Sequence, residues 1–575
     1  MPESSNKLPG YDSVFTFLFL LLVLTSHIYS QPLGPAYVVY FKDKANSPYS
    51  IDNPSEFLTN EAISRRQIQN IPVQEDDIPV NSEYLELLAG TGAQIAAVSR
   101  WFNMAAVWIL NPGIIPEIEA LPFVLQIIPM NGIPSGFKKA NWKTKPFFDE
   151  ETIEIELQPL SRKNINSDYY DYGQAATQIE MINGKYLHNL GFRGEGMVIA
   201  VLDAGFRNVD INPAFDSLRT NNCILGTRDF VVPGNNIYNP GIHIHGANVL
   251  SIMAANIPGQ MVGTAPEASY WLLRTEDADG PYNNTEYLME EYYWISGAEF
   301  ADSVGANVIN SSLGYTTFDN PLQNHSYADM DGNTTPITLG ANKASEKGIL
   351  VVNSAGNSGN LPWKYISAPA DGLNLLAVGA VKGNGSYASF SSIGPSADGR
   401  VKPDITARGD STTYVNTSGQ VRAGNGTSYS SPVIAGMAAC LWQSNKSADI
   451  EGIYQCIIQS ASQYQNPDVY KGYGIPDFEM ARLLLTRDDS TILSKGMIKV
   501  SPNPVKSHVF IETLKSGVLI QNINVCDLNG RIVIKRHYSK GQAYITENVD
   551  LLNSGLYILR VDFENKSEFI KLVKF

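Results

Sequence analysis

The sequence predicts an α/β protein: a parallel sheet with helices on both faces, preceded by a small α+β region and followed by a C-terminal β-sandwich. Two observations carry this. Between residues 167 and 487, short and wholly apolar runs alternate with helical segments. Unbroken apolar runs are what strands covered on both faces require, and alternation with helices favours a parallel sheet. Beyond residue 497 the pattern becomes alternating, with a hairpin signal at Asn529-Gly530, as in a sandwich that is half solvated.

From the N-terminus, residues 14–24 form an uncharged Leu/Phe/Val run, too short to span a bilayer but suited to the apolar part of a signal peptide over 1–30, with the small Ser30 before Gln31. The start is imperfect, because Glu3 and Asp12 outnumber Lys7, and a buried hydrophobic helix is the alternative. Residues 31–130 hold a strand at 37–41, an apolar-rich stretch at 91–110, a short helix at 116–121 and a strand at 124–128, a mixed order that predicts a small α+β unit. Residues 131–166 read as a linker with a lysine cluster (Lys138, Lys139, Lys143, Lys145) before Asp149, Glu150 and Glu151. The central strands are predicted at 197–202, 270–273, 308–309, 349–352 and 375–381, with helices at 247–255 and 341–347 among them. In such sheets functional groups gather at the carboxyl ends of strands. The last region, 497–575, has strands at 509–512, 522–525, 531–534, 557–561 and 569–573.

A chain of 575 residues exceeds one hydrophobic core, and 43% hydrophobic with 17% charged residues is globular composition. A net charge of −15 would repel a phosphate backbone, which argues against nucleic-acid partners. No stretch after the N-terminal run is long enough for a membrane helix. Of the four cysteines, Cys440 and Cys456 lie on neighbouring apolar segments and are the best candidate pair, with free buried thiols the alternative. No Cys/His spacing suggests zinc.

Three central segments put a reactive side chain at the edge of an element. The run 198–205 ends a buried strand with Asp203 and then turns at Gly205; a carboxylate there is costly unless bonded, while simple capping of the next segment is the alternative. In His243-Ile244-His245-Gly246-Ala247, a histidine sits just before a small-residue helix start. A neutral imidazole there can take a proton near pH 7, and a metal ligand or a surface histidine is the alternative. In Gly426-Thr427-Ser428-Tyr429-Ser430-Ser431-Pro432, a glycine-rich loop runs into a helix of small residues. Pro432 is expected in its first turn, and Ser428 at the positive helix end with its N–H exposed. A plain serine N-cap is the alternative. A fourth segment, Asn353-Ser354-Ala355-Gly356-Asn357, follows a strand; the Asn357 amide could donate to a developing oxyanion or simply make a turn.

Taken together these segments resemble the subtilisin family of serine peptidases, over 169–485. The order Asp, His, Ser is that family's order. Gly-Thr-Ser-x-Ser-Ser-Pro at 426–432 is similar to the family's Gly-Thr-Ser-Met-Ala-x-Pro, Asp203-Ala204-Gly205 to Asp-Thr/Ser-Gly, His245-Gly246-Ala247 to His-Gly-Thr, and Gly263-Thr264-Ala265-Pro266-Glu267-Ala268 to Gly-Val-Ala-Pro-x-Ala. Asn310-Ser311-Ser312-Leu313-Gly314 resembles the substrate-binding strand.

The resemblance implies a subtilisin-like sheet and an endopeptidase that hydrolyses protein or peptide substrates. It assigns Asp203, His245 and Ser428 as the triad, Asn357 to the oxyanion, and Ser312, Leu313, Gly314, Ala355 and Gly356 to substrate binding. No cofactor is required for the chemistry; calcium is expected only as a structural ion, and no ligand spacing names a site. Ala204 and Ala247 stand where the family carries hydroxyls, which implies altered tuning rather than lost activity. The loop 315–336, long and rich in Asn, Asp and Thr, is expected to shape subsites or hold a cation. By position and mixed order 31–130 resembles a propeptide that blocks the cleft until it is cut within 131–166.

The segments Ser501-Pro502-Asn503-Pro504-Val505, Asp527-Leu528-Asn529-Gly530-Arg531 and 551–557, with Lys571 and Lys574, resemble the sorting domain of the Bacteroidetes type IX secretion system. That implies export through the periplasm, engagement of the secretion machinery, and a secreted or surface-attached product. A catalytically inactive binding protein on the same fold is the competing expectation.

Overall fold

The computed structural model describes residues 34–130, 152–153 (backbone only), 168–279, 285–486, 498–514, 518–527, 531–564 and 566–574. The proposed signal peptide, nearly all of the linker and the Asn529-Gly530 hairpin lie outside these residues.

The N-terminal unit is a four-stranded antiparallel sheet. Its strands are β1 (Ala36–Phe41), β2 (Gln94–Ser99), β3 (Met104–Trp108) and β4 (Val124–Pro129), in the order β2-β3-β1-β4. The apolar stretch at 91–110 thus becomes two strands, turned at Asn103 in the left-handed region with φ 49°. The short helix spans Ile115–Glu119. Two further helices, α1 (Asn60–Ile68) and α2 (Ser82–Gly90), are capped by Thr59 and Asn81, whose side chains accept from Ala62 N and Glu83 N.

The central region is built on seven parallel strands: β5 (Val198–Asp203), β6 (Ile224–Asp229), β7 (Ser269–Arg274), β8 (Val308–Ser311), β9 (Leu350–Ser354), β10 (Leu376–Val381) and β11 (Ile405–Arg408). Their order is β11-β10-β9-β8-β5-β7-β6, every pairing parallel. Successive residues of β5 enter different cores. Ile199 and Val201 join one with helices α3 (His245–Ala254) and α6 (Thr427–Gln443); Ala200 and Leu202 join another with α4 (Met289–Ser303) and α5 (Pro336–Glu346). Burial on both faces is why these strands read as unbroken apolar runs. The helices start earlier than expected, and His245 is the first residue of α3 rather than its forerunner. Pro432 lies inside α6, not in its first turn. No disulfide joins Cys440 and Cys456: Cys440 is buried and its thiol contacts the Thr264 carbonyl at 3.2 Å.

The N-terminal unit docks on α4 through buried charge. Asp302 receives Arg65 at 2.5 Å, Arg66 at 2.7 Å and Arg100 at 2.6 Å, while Arg66 also pairs with Asp77 at 2.8 Å. Glu299 accepts from Ser99 Oγ at 2.5 Å, Arg100 N at 2.9 Å and Trp101 N at 3.1 Å.

The C-terminal domain is a sandwich of β12 (Ile498–Ser501), β13 (His508–Thr513), β14 (Ile520–Cys526), β15 (Ile532–Gln542), β16 (Tyr544–Asn548), β17 (Gly555–Asp562) and β18 (Ser567–Lys574). The sheets run β12-β13-β16 and β15-β14-β17-β18. Val509 and Ile511 enter its core. Phe510, on the opposite face of β13, is 1% exposed because it packs with Met480 and Leu484 of the central region's last helix, α7 (Phe478–Leu485). Ser507 Oγ donates to Glu479 at 2.9 Å beside it. Among the described residues no helix is long and apolar enough to cross a membrane.

Candidate active site

Asp203 is the last residue of β5, wholly buried, and its Oδ1 accepts from Ala204 N at 2.7 Å and lies 2.7 Å from His245 Nδ1. The imidazole reaches it because α3 begins almost against the strand end. A Cβ on Gly246 would fall 2.6 Å from Gly205 O and 2.9 Å from Asp203 Cβ, so only glycine permits that approach. With Nδ1 committed to the carboxylate, Nε2 is the nitrogen left to exchange a proton. His243 Nδ1 accepts from His245 N at 3.3 Å.

Ser428 is the second residue of α6 and fully buried. Its Oγ donates to Ser312 O at 3.4 Å. The next ring along, Tyr429, stacks on His245 with centroids 6.5 Å apart, which brings the imidazole to the start of α6. Pro432 supplies a link the sequence did not announce. Lacking an N–H, it leaves the carbonyl four residues back, that of Ser428, without its helical donor, and Ser312 Oγ donates to it at 2.9 Å. The helix bearing the hydroxyl is thus pinned to the strand segment Ser312, Leu313, Gly314.

Asn357 is held by its acceptor side. Its Oδ1 accepts from Thr427 N at 2.8 Å and from Thr427 Oγ1 at 2.9 Å, while Thr427 Oγ1 accepts from Gly356 N at 3.1 Å. Fixing the carbonyl of the amide fixes the direction of its NH₂, beside the start of α6. The structure therefore brings Asp203, His245, Ser428 and Asn357 to one place at the carboxyl end of the sheet, with Ser312, Leu313, Gly314, Ala355 and Gly356 alongside.

Two features went unread in the sequence. Arg274, buried at the end of β7, pairs with Asp229 at 2.9 Å, Asp277 at 3.0 Å and Asp279 at 2.9 Å, and its Nε donates to Ala204 O at 3.1 Å. It thereby braces the turn after Asp203. Burial pushes the Asp279 carboxyl up to about 6, against the pull of Arg274. Further along, Glu276, Glu286 and Glu290 bring carboxylate oxygens within 4.8 Å of one another, and Glu276 also takes the hydroxyl of Tyr315. The acid-rich run 276–291 is the signal that could have flagged them.

A buried carboxylate, an imidazole fixed by it, a hydroxyl at a helix start and an amide held beside it are the parts of a serine hydrolase that works through an acyl-enzyme. The model of the subtilase family matches residues 194–475, that of the Bacteroidota peptidase S8 propeptide domain 36–145, and that of the secretion system C-terminal sorting domain 499–574. Subtilisin BL of Lederbergia lenta is 30% identical over 307 residues, 53% of this chain and 97% of the relative. The thermostable alkaline protease of Halalkalibacterium halodurans is 30% identical over 294 residues, 51% and 69% of the two chains. Subtilisin NAT of Bacillus subtilis subsp. natto is 28% identical over 355 residues, 61% and 82%. Among solved structures, MycP1 from the ESX-1 type VII secretion system aligns with a TM-score of 0.42 at 22% identity, covering 59% of this chain and 93% of that one.

The chain belongs to the subtilase family. It is a subtilisin-like serine endopeptidase made with its own propeptide domain and addressed for type IX secretion by its C-terminal domain.

Proposed function

We propose that Ser428 is the nucleophile, His245 the general base and then acid, Asp203 the group that orients and stabilises the imidazolium, and Asn357 with the Ser428 N–H the oxyanion donors. Substrate would lie as an added strand along Ser312, Leu313 and Gly314, facing Ala355 and Gly356. As Ser428 Oγ bonds to the peptide carbonyl carbon, its proton passes to His245 Nε2 and the carbonyl oxygen becomes an anion. Collapse breaks the C–N bond, the amine leaves with the proton from His245, and water repeats the sequence on the ester.

The observation that carries this reading is the 2.7 Å contact of His245 Nδ1 with Asp203, at a helix start that places Tyr429, and so Ser428, beside the ring. A fluorophosphonate probe should label the matured protein at Ser428, and Ser428→Ala should abolish both labelling and casein cleavage. An unlabelled but folded matured protein would favour an inactive binding protein instead. Asn357→Ala should cost about 10²–10³ in turnover, the range known from the oxyanion asparagine of subtilisin itself.

The propeptide domain would act as inhibitor until it is cut within 131–166, and the sorting domain would engage the secretion machinery. New termini near residues 140–165 and 490–500 in the secreted form, read by mass spectrometry, are the expected marks of processing. Calcium would serve only as a structural ion. The oxygen-only set of Glu276, Glu286 and Glu290 suits a hard cation. Chelation should then lower the melting temperature and spare the chemistry.

A further inference from the structure

A path of bonds runs around the 2.7 Å contact between Asp203 and His245. It starts at a row of strand ends. Asp203, Arg274 and Asp229 stand level with one another on β5, β7 and β6, and Thr275 N donates to Asp203 O at 3.0 Å. From that row the Arg274 guanidinium reaches in two directions. Its Nε donates to Ala204 O at 3.1 Å, on the turn that follows the acid. Its Nη2 pairs with Asp279 at 2.9 Å. Asp279 accepts the backbone N–H of His243, and His243 Nδ1 accepts the N–H of His245 at 3.3 Å. The path thus leaves the residue after the acid and arrives at the histidine.

These ties matter because of what they join. Residues 204–205, 243–244 and 275–279 belong to no helix or strand, and a loop keeps a fixed distance only where other groups hold it. Ala204 has no polar side-chain atom, so its turn can be held only by the main chain. The backbone of His243 lies against Gly205: a Cβ built on that glycine would fall 2.7 Å from His243 O and 3.1 Å from His243 N. A guanidinium suits the place, since its rigid fork serves several acceptors in fixed directions at once. The Arg274 side chain is 1% exposed, and its other partners, Asp229 at 2.9 Å and Asp277 at 3.0 Å, hold the fork in one orientation. One cation thus faces three carboxylates. Asp279, at 14% exposure, is the most open of them, and burial pushes it up to about 6, with Asp277 and Asp229 adding to the rise and Arg274 opposing it.

We propose that Arg274 and Asp279 are positioning residues of the triad, setting the separation of Asp203 and His245 by holding the Ala204 carbonyl on one side and the His243 N–H on the other. This rests on the reading of Asp203, His245 and Ser428 given above. The pair acts only through the acid and the base. A base that drifts from its carboxylate loses the orientation in which Nε2 meets the hydroxyl, so the chemical step slows while substrate binding is unaffected. The groups that face Asp279 are Arg274, Asp277, Asp229 and the His243 N–H. When Asp279 takes a proton it loses the charge that pairs it with Arg274, and the His243 end of the path loosens. His245 must also be unprotonated to act as base, so two protons govern the acid side of the rate profile.

The test uses enzyme matured from the full chain, one peptide substrate, and active sites counted by fluorophosphonate titration. Asp279→Asn keeps the shape and an acceptor for His243 but carries no charge. At about pH 9 it should lower kcat by about 10- to 100-fold with KM unchanged, and slow the reaction with the probe by the same factor. Below about pH 7 the kcat/KM of wild type should fall more steeply than one proton allows, and that of Asp279→Asn should follow a single proton. Asp277→Asn leaves both ends of the path bonded. It should keep the rate at about pH 9 within about twofold and move the second ionisation to lower pH, since Asp277 raises Asp279. An unchanged kcat in Asp279→Asn, a loss confined to KM, or a one-proton profile in wild type overturns the assignment while leaving the peptidase reading intact. Failure of the wild type to react with the probe overturns the reading of the site and this assignment with it.

Discussion

The peptidase region touches its two neighbours in opposite ways. Against the propeptide it presents buried charge: Asp302 gathers three arginines from α1 and the end of β2, and Glu299 receives backbone and side-chain donors from 99–101. Against the sorting domain it presents a few apolar side chains, Met480 and Leu484 under Phe510, with Glu479 bonded to Ser507. Buried ion pairs add little net stability, but they are unforgiving of mismatch, because an unpaired buried charge is far worse than no charge. The propeptide contact is therefore selective for one partner in one pose. The sorting contact is small and undemanding, and the covalent connection through 487–497 keeps the two surfaces at high effective concentration.

The largest effect should come from breaking the charged face. In an uncleavable Ser428→Ala background, Asp302→Ala leaves Arg65 and Arg100 without their carboxylate, while Arg66 keeps only Asp77, and it should destabilise propeptide docking by about 3–5 kcal/mol, read as a lowered urea midpoint for exchange of the β1–β4 amides. Acid should separate the two contacts next. Burial alone would raise Asp77, but the Arg66 guanidinium overrides it and holds the carboxyl down at about 2. A depressed acid stabilises the fold above its unfolded value and loses that contribution as pH falls through its folded one. About 2 kcal/mol should thus vanish from the propeptide unit between pH 4 and 2. The Phe510 contact is made chiefly by the apolar side chains of Met480 and Leu484, with only the Glu479–Ser507 bond beside it, and should lose less amide protection over the same range. Phe510→Ala should then cost about 2 kcal/mol at the sorting-domain contact, measured by limited proteolysis of the intact chain. Smallest of all, Ser507→Ala should cost under about 1 kcal/mol by the same assay; an effect as large as that of Phe510→Ala would show the sorting contact to be governed by polar bonds after all.

Legibility in the sequence followed the locality of the cause. β5, β8, β9 and β10 were readable because burial on both faces leaves an unbroken apolar run. The edge strands β6 and β11 were not, since a strand such as Ile224–Asp229 mixes exposed and polar positions. Helix α1 was invisible for a related reason: its buried side chains include Arg65 and Arg66, whose burial makes sense only with Asp302 beside them, more than two hundred residues away. Asp203, His245, Ser428 and Asn357 each sit in a short segment whose turn and neighbours announce them. The Glu276, Glu286, Glu290 group was missed because it is assembled across a strand end and a helix start. Pro432 was seen but misplaced by a turn, as a single-residue helix boundary cannot be fixed from composition.

That misplacement has a consequence for how the cleft keeps its shape. A proline inside a helix ordinarily weakens it, yet here the vacant acceptor it leaves behind becomes a socket for the Ser312 hydroxyl. The start of α6 and the segment that leaves β8 are thereby latched together, so a displacement of one drags the other. Any residue with an amide hydrogen at position 432 would compete for the same oxygen, and the two halves of the cleft would be free to drift apart.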